Sequence, residues 1–349
     1  MRTITFSWCL AAATLTAVAA AAQDHYRLES AVVLPAAAPA WDYLSLDAER
    51  GHLFIGRRDD GVTVFDVRAN RVVGAIADSN GANMATLVPE FDRGYTTNGD
   101  GSSTIFTLST LKTVSRFKFG DDADAAYYEP VTKQLAFMMG DSKLITFVDA
   151  KTGRVTGKLS LDSEKIESGA PDGDGNMLVA LRDKNQIVKI DLRSRRLTTT
   201  WDTVGCMQPT GVAIDRVQRR LFVGCRGTVP VLAVINIDSG AVVTTLPIGR
   251  GNDGVVYDPQ THRIYASNGV DANLVIFDRT GADTYKLVEA VTTRPTARTM
   301  ALDPATKKVF TVAAEGRVDP AKPVNTATSP FYPNVFFADT FTLLTYAPH

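Results

Sequence analysis

A short phrase with the character of a β-strand recurs seven times along the chain at a nearly constant interval. One copy reads RRLFVG at 219–224, between apolar runs at 212–215 and 231–235. The central residues of the seven copies are 41 to 45 positions apart: Phe54, Tyr95, Ala136, Leu178, Phe222, Tyr265 and Phe310. A period in the low forties with several short strands per unit is typical of propeller blades. The sequence therefore predicts an all-β, seven-bladed β-propeller.

The two ends of the domain predict how the ring closes. The last unit offers three strands, at 299–303, 309–313 and 341–346, and no fourth. The stretch 26–34 reads as a strand that has no unit before it. Pairing these ends would complete blade 7 and remove two open sheet edges. We therefore expect one domain over 23–349, closed by strand 26–34.

The first 22 residues have the features of a cleaved signal peptide. Arg2 supplies a positive start, 4–18 is a mildly apolar core, and the alanines at 20–22 form a small-residue cleavage site. We expect cleavage after Ala22 and a periplasmic or secreted protein. A membrane anchor is the alternative, and the polar residues within the core disfavour it. We expect no membrane span in the mature chain.

Charge and cysteine content limit the classes of partner. The net charge of −1 gives no electrostatic basis for nucleic-acid binding. Cys206 and Cys225 fall in the same repeat unit, and exported proteins keep disulfides. The alternative is a pair of buried free thiols. The sequence leaves both open.

The repeats resemble a known family. Stretches such as RLFVG at 220–224 and DSGAVV at 238–243 are similar to the YVTN β-propeller repeat, and the whole resembles the YncE-like exported proteins. The likeness covers nearly all of the mature chain and is clearest in units 1, 3, 5 and 6. It implies the fold and export. The quoted positions are core and turn positions, and the family has no agreed catalytic activity.

The spacing of the repeat also predicts where a site would lie. The residue twelve positions before each central residue should lie at one mouth of the central channel. These residues are Asp42, Asn83, Asp124, Ile166, Thr210, Asp253 and Arg298, and a shift of one in unit 4 replaces Ile166 by Glu167. The second strands should end at the same mouth, bringing Arg57, Arg58, Asn98, Asp141, Arg182, Arg226, Asn268 and Glu315.

This polar ring has three interpretations. Asp42, Asp124 and Asp253 offer oxygen ligands that suit Ca²⁺ or Mg²⁺. The ring otherwise forms a pocket for a small cationic or hydroxylated ligand, with Arg298 as an anchor, or for a protein partner. The third interpretation is a solvated channel mouth. Arg57, Arg182 and Arg226 would either hold an anion or pair with the acidic ring.

One insertion interrupts the last unit. Residues 316–336 lengthen the loop between its second and third strands, and loops this long are usually functional or disordered. Phe331 and Tyr332 stand between Pro330 and Pro333. We expect them to form an aromatic lid over the mouth; the alternative is a proline-rich loop.

Familiar catalytic motifs are missing from the sequence. It contains no GxSxG, HExxH or CxxCH, and His52 and His262 fall in turns at the opposite face. We therefore favour a non-catalytic propeller that binds a ligand or partner at the mouth, with no certain cofactor. The main alternative is a metal-dependent hydrolase, such as a lactonase. A redox propeller ranks last.

Overall fold

The computed structural model describes residues 25–140, 142–322 and 332–349. Seven four-stranded sheets account for nearly all of the regular structure in this part of the chain, and every strand pair within them is antiparallel. Six sheets use four consecutive strands each, and the seventh joins the two ends of the domain. The predicted seven-bladed propeller is confirmed.

The strand bounds follow the repeat. Blades 1 to 3 are formed by β2 to β13, which are Leu44–Asp47, His52–Gly56, Val62–Asp66 and Arg71–Ile76; Ala82–Val88, Arg93–Asn98, Ser102–Thr107 and Thr113–Lys118; and Ala123–Glu129, Gln134–Met139, Leu144–Asp149 and Val155–Ser160. Blades 4 to 6 are formed by β14 to β25, which are Ile166–Pro171, Asn176–Leu181, Gln186–Asp191 and Arg196–Asp202; Pro209–Asp215, Arg220–Cys225, Val231–Asn236 and Val242–Pro247; and Asn252–Asp258, Arg263–Asn268, Asn273–Arg279 and Tyr285–Thr292. Single 3₁₀ turns occupy Pro89–Phe91 and Arg182–Lys184.

Blade 7 closes the ring with the N-terminal strand. Its order is β1 (Tyr26–Val33), β30 (Thr342–Pro348), β27 (Val309–Ala313) and β26 (Met300–Leu302). Strand β1 is the outer strand and also contacts blade 6, because the Tyr26 hydroxyl lies 2.9 Å from that of Tyr265. The predicted closure is confirmed, with bounds that differ by one or two residues from those expected.

The recurring phrase is the second strand of each blade, and it carries the core. Phe54 and Phe222 are fully buried, as are the equivalent tyrosines in blades 2 and 6. Their side chains pack between neighbouring blades: the rings of Phe54 and Phe106 lie 5.5 Å apart across blades 1 and 2. The fourth strands alternate between exposed and half-buried residues. Burial on both faces explains the nearly continuous apolar runs of the inner strands.

Two further features lie on the channel-mouth face. A disulfide joins Cys206, just before β18, to Cys225 at the end of β19, with the two Cα atoms 5.3 Å apart. In blade 7 the insertion begins and ends as a small hairpin of β28 (Gly316–Arg317) and β29 (Val335–Phe336). Among the described residues, no helix has the length and apolar character needed to cross a bilayer. The predicted signal peptide at 1–22 lies outside the described residues.

Candidate functional site

A cavity of about 430 Å³ opens at the mouth where first strands begin and second strands end. Its walls come from several blades and from the insertion. The lining residues are Asp42, Tyr43, Arg58, Asp122, Asp124, Gly140, Lys165, Ile166, Glu167, Arg182, Arg226, Gly251, Asp253, Val270, Arg298, Tyr332, Pro333 and Phe336. Charged side chains of both signs therefore meet in one small space.

A β-bulge in the first strand positions the acidic residues. In blade 3 the pairing skips Asp124, between Ala123 and Ala125. In blade 6 it skips Asp253 in the same way. A bulge leaves a residue out of the ladder and re-aims its side chain. In blades 3 and 6 the residue found by counting back twelve positions is thus the bulged residue. Asp42 and Arg298 instead precede the first strands of blades 1 and 7.

The strand pairing in blade 4 shows whether Ile166 or Glu167 takes the ring position, which the sequence left open. Ile166 pairs with Leu181, and the irregularity follows it, so Glu167 falls in the bulge. Both residues line the cavity. The Glu167 carboxylate forms an ion pair with Nη1 of Arg182 at 2.9 Å. The shift of one residue therefore gives the acidic position in this blade.

An ion-pair chain runs around the mouth from blade 5 to blade 1. Arg226 contacts one oxygen of Asp253 at 2.5 Å, and Arg298 contacts the other at 2.8 Å. Arg298 also reaches Asp42 at 3.6 Å, and Arg58 binds Asp42 at 2.5 Å. Together with the pair in blade 4, four arginines share three buried carboxylates. Arg182 and Arg226 thus pair with the acidic ring, which was one of the two roles predicted for them.

Asp124 differs from the other acids of the ring. Its backbone oxygen accepts the Thr97 hydroxyl at 2.8 Å, but no side chain among the described residues forms a hydrogen bond or ion pair with its carboxylate. Burial, followed by the charges of Asp42 and Glu167, raises its pKa well above the ordinary value of 3.8. The second strands explain why no arginine reaches Asp124. The second strand of blade 2 ends at Asn98 and that of blade 3 at Met139, followed by Gly140, and none of these residues carries a positive charge.

Arg57 was predicted to face the mouth, and this placement is wrong. Its guanidinium donates to the Pro35 carbonyl at 2.7 Å and to Thr63 Oγ1 at 3.1 Å, and it lies 4.9 Å over the ring of Phe341. The next residue, Arg58, adopts a left-handed backbone with φ of 49° and turns into the cavity instead. Arg58 therefore occupies the place expected for Arg57.

Three neutral residues that were expected at the mouth also lie away from the cavity. Asn83 donates to the Ala123 carbonyl at 3.0 Å and is fully buried between blades. Thr210 donates to the Gln208 carbonyl at 3.1 Å. Asn268 donates to the side chain of Asn273 at 2.8 Å. Thr210 and Asn268 donate within the fold, which lowers the cost of burying an uncharged polar group. Asn83 Oδ1, in contrast, is buried without a hydrogen-bond partner among the described residues.

Several lining residues were not anticipated from the sequence. Tyr43 follows Asp42, and Asp122 and Lys165 each precede a bulged acid by two positions. Burial, followed by the nearby charge of Asp124, raises the pKa of the Tyr43 hydroxyl well above 10. Their closeness in sequence to the predicted ring residues was the available signal for all three. Asp141, also expected at the mouth, lies outside the described residues. Glu315 is not among the lining residues, and its backbone hydrogen-bonds with Thr340 Oγ1.

The insertion contributes one wall of the cavity. Tyr332 and Pro333 line it, and Phe336 packs on Trp41 with ring centroids 4.9 Å apart. The Arg298 guanidinium lies over the Trp41 ring, 5.5 Å from the ring centroid. The hairpin is thereby tied to the ion-pair chain. Phe331, the other residue of the predicted lid, is outside the part of the chain that the structure describes.

Two of the three predicted metal ligands, Asp42 and Asp253, are paired with arginines. Within the described residues, no group of three or more His, Cys, Asp or Glu side chains could hold a metal ion. Asp42 and Asp253 direct their oxygens at arginines. Ca²⁺ and Mg²⁺ need several free oxygen ligands, so binding at Asp42 and Asp253 would require these carboxylates to leave their arginines, and a bound metal stays a prediction.

Comparisons with known proteins agree on the fold. No protein-family model matches the chain, and no curated protein matches its sequence. The WD40 repeats of RRP9 superpose with a TM-score of 0.74 at 8% identity, covering 93% of this chain and 100% of that one. A chain of the mitotic checkpoint complex gives 0.72 at 16% identity, with 89% and 95% covered. A chain of hydrazine synthase from Kuenenia stuttgartiensis gives 0.67 at 16% identity, with 80% and 94% covered.

Fold and site together define the class. The chain is a WD40-like seven-bladed β-propeller with a charged cavity at one channel mouth. The fold itself prescribes no chemistry.

Proposed function

We propose that this chain is an exported propeller of the YVTN/YncE-like kind that binds a small polar molecule in the channel-mouth cavity without transforming it. The cavity carries this proposal. At about 430 Å³ it has the size of a ligand pocket, and five cations and five carboxyl groups line it. Typical ligand pockets measure roughly 300–1,000 Å³.

The ion-pair chain supports binding to a preformed site. Arg226 and Arg298 are held by Asp253, and Arg298 also donates to the Trp41 carbonyl at 2.9 Å. Side chains fixed in this way lose little further freedom when a ligand enters, which favours affinity. A concave site walled by Tyr332 suits a small molecule better than a flat protein surface.

Export is supported by two independent features. Residues 1–22 have the charge, apolar core and small-residue end of a signal peptide. The Cys206–Cys225 disulfide suits an oxidising compartment. N-terminal sequencing of the mature protein should begin at Gln23; a protein that retains Met1 would contradict export by cleavage.

A metal-dependent hydrolase is the second candidate, because Asp42, Asp124 and Asp253 line the same cavity. It would require two of these acids to leave their arginines. Elemental analysis before and after chelation tests it. A stoichiometric ion, together with lactone hydrolysis that chelation abolishes, would favour the hydrolase over the binding protein.

A thermal-shift screen of small polar metabolites tests the binding function. Val270→Trp narrows the cavity without removing a charge, and Val217→Trp places the same bulk at a residue that is 84% exposed outside it. A compound present at 100 times its Kd should stabilise the wild type by about 2.7 kcal/mol. We expect that response in the wild type and in the Val217 variant but not in the Val270 variant. Hits that stabilise all three equally, or a broad panel without hits, would contradict the proposal.

A further inference from the structure

We propose that the ligand carries a cationic group, an ammonium or a guanidinium, and that the Asp124 carboxylate binds it. This inference rests on the proposed function, since it identifies the chemistry of the same cavity. It also assigns a role to the acid that the ion-pair chain leaves out.

The charges around the mouth favour a cation over an anion. All four arginines of the lining are bonded to carboxylates, at 2.5 Å for Arg58 and 2.9 Å for Arg182. An incoming carboxylate or phosphate would have to displace one of these partners. It would also face Asp124. A cation meets a carboxylate that forms no hydrogen bond or ion pair with any described side chain.

The surroundings of Asp124 disfavour the ionised form of its carboxyl group when no cation is bound. The charged and titratable groups that act on it, or on which it acts, come from blades 1, 3, 4 and 6: Asp42, Arg58, Tyr43, Tyr127, Glu167 and Asp253. Arg58 is the cation of this set whose charge offsets the burial of Asp124, and its guanidinium is bonded to Asp42. Like charges near a half-buried acid disfavour its ionised form, and a bound cation removes that penalty.

An organic cation fits the cavity better than a metal ion. The cavity of about 430 Å³ accommodates a molecule of several heavy atoms. The described residues provide no cluster of carboxylates for a divalent ion. Tyr43 and Tyr332 add aromatic side chains to the lining, and aromatic faces attract organic cations.

Binding should release a proton. Burial and neighbouring acids raise the pKa of Asp124, which favours the protonated acid before binding. A cation at hydrogen-bond distance favours the ionised form, and the proton passes to the buffer. A carboxyl group with a purely structural role would not produce this release.

A series of four-carbon compounds tests the inference by calorimetry on the mature chain. The probes are 4-aminobutan-1-ol, which is a monocation, butane-1,4-diol and succinate. We expect the amino alcohol to bind at least tenfold tighter than the diol, and succinate to bind weakest. A flat series, tighter binding of succinate, or no binding of the amine overturns the inference. Tighter binding of the diol or succinate would leave the proposed function intact.

Two variants separate recognition from folding. Asp124→Asn should weaken amine binding tenfold or more and abolish proton release, measured in two buffers of different ionisation enthalpy. Asp124→Glu keeps the charge and should retain the release. The control is Asp162→Asn, since that side chain is 94% exposed on the surface. Unchanged amine binding and proton release in the Asp124→Asn variant overturn the inference.

Discussion

Two aspartates of the same cavity should respond oppositely to the same substitution. Asp253 is buried and contacts Arg226 at 2.5 Å and Arg298 at 2.8 Å. Asp253→Asn removes the charge and leaves both guanidiniums without it. Breaking a buried pair from one side typically costs about 3–5 kcal/mol. Arg298 retains Asp42 at 3.6 Å, so we expect the lower end of that range.

Asp124→Asn should behave differently, because the substitution removes a charge that has no partner among the described side chains. Free energy of unfolding should stay within about 0.5 kcal/mol of the wild type at acid pH, as for substitutions that break no contact. It should exceed the wild-type value as pH rises. The Asp124 pKa is raised in the folded state above its ordinary 3.8, so the folded protein binds more protons than the unfolded chain in that interval. The contribution of Asp124 to the stability of the wild type therefore falls as pH rises through this interval. The asparagine variant has no carboxyl group at this position and does not show the loss.

Urea denaturation of the wild type and both variants from pH 4 to pH 8 measures these effects. For Asp253→Asn a loss of about 3 kcal/mol corresponds to a fall in Tm of about 4 °C, because the entropy of unfolding scales with the length of the domain. If Asp124→Asn lost as much stability as Asp253→Asn, the acid would have a partner and the reasoning would be refuted. If Asp253→Asn left the free energy of unfolding unchanged, the ion-pair chain would not stabilise the mouth.

Three further predictions concern the fold. Replacing Cys206 and Cys225 by serine should lower the free energy of unfolding by about 3 kcal/mol, because the bridge closes a loop of 19 residues. Deleting Tyr26–Val33 should leave β30 as an open edge and convert the monomer peak in gel filtration into aggregates. Gly224→Ala should cost about 1–3 kcal/mol in urea denaturation, since its Cβ would lie 1.7 Å from Asn252 Oδ1.

Each of these has its own control. Reductant should destabilise the wild type but leave the double serine variant unchanged; an equal effect on both would argue against the bridge. Adding the deleted strand as a peptide should restore the monomer, and continued aggregation would contradict the closure. Gly74→Ala is the matched glycine, because its Cβ would meet only Leu111 at 3.7 Å. Equal costs at Gly74 and Gly224 would show that the Asn252 contact is not the cause.

The fold was predictable because burial fixes the pattern of every blade. Residues such as Phe222 must fill the space between two blades, so the phrase recurs wherever a second strand runs. The closure by β1 followed from counting strands. Strand ends moved by a residue or two, because turn geometry at the ends depends on local hydrogen bonds rather than on the core.

The candidate site was predictable only in part. The bulge recurs with the repeat, which placed Asp124 and Asp253 at the mouth. It could not distinguish Arg57 from Arg58, because a left-handed residue redirects the chain after β3. The isolation of Asp124 depends on which guanidinium reaches which acid between blades, and that is a property of the assembled ring.

The position of a bound amine tests the central claim most directly. In a crystal structure of the mature protein soaked with 4-aminobutan-1-ol, we expect the ammonium nitrogen at about 2.7–3.2 Å from an Asp124 carboxylate oxygen. The arginines of the mouth should keep their carboxylate partners. An ammonium group bound elsewhere, or bonded to Asp42 or Asp253 in place of their arginines, would contradict the account.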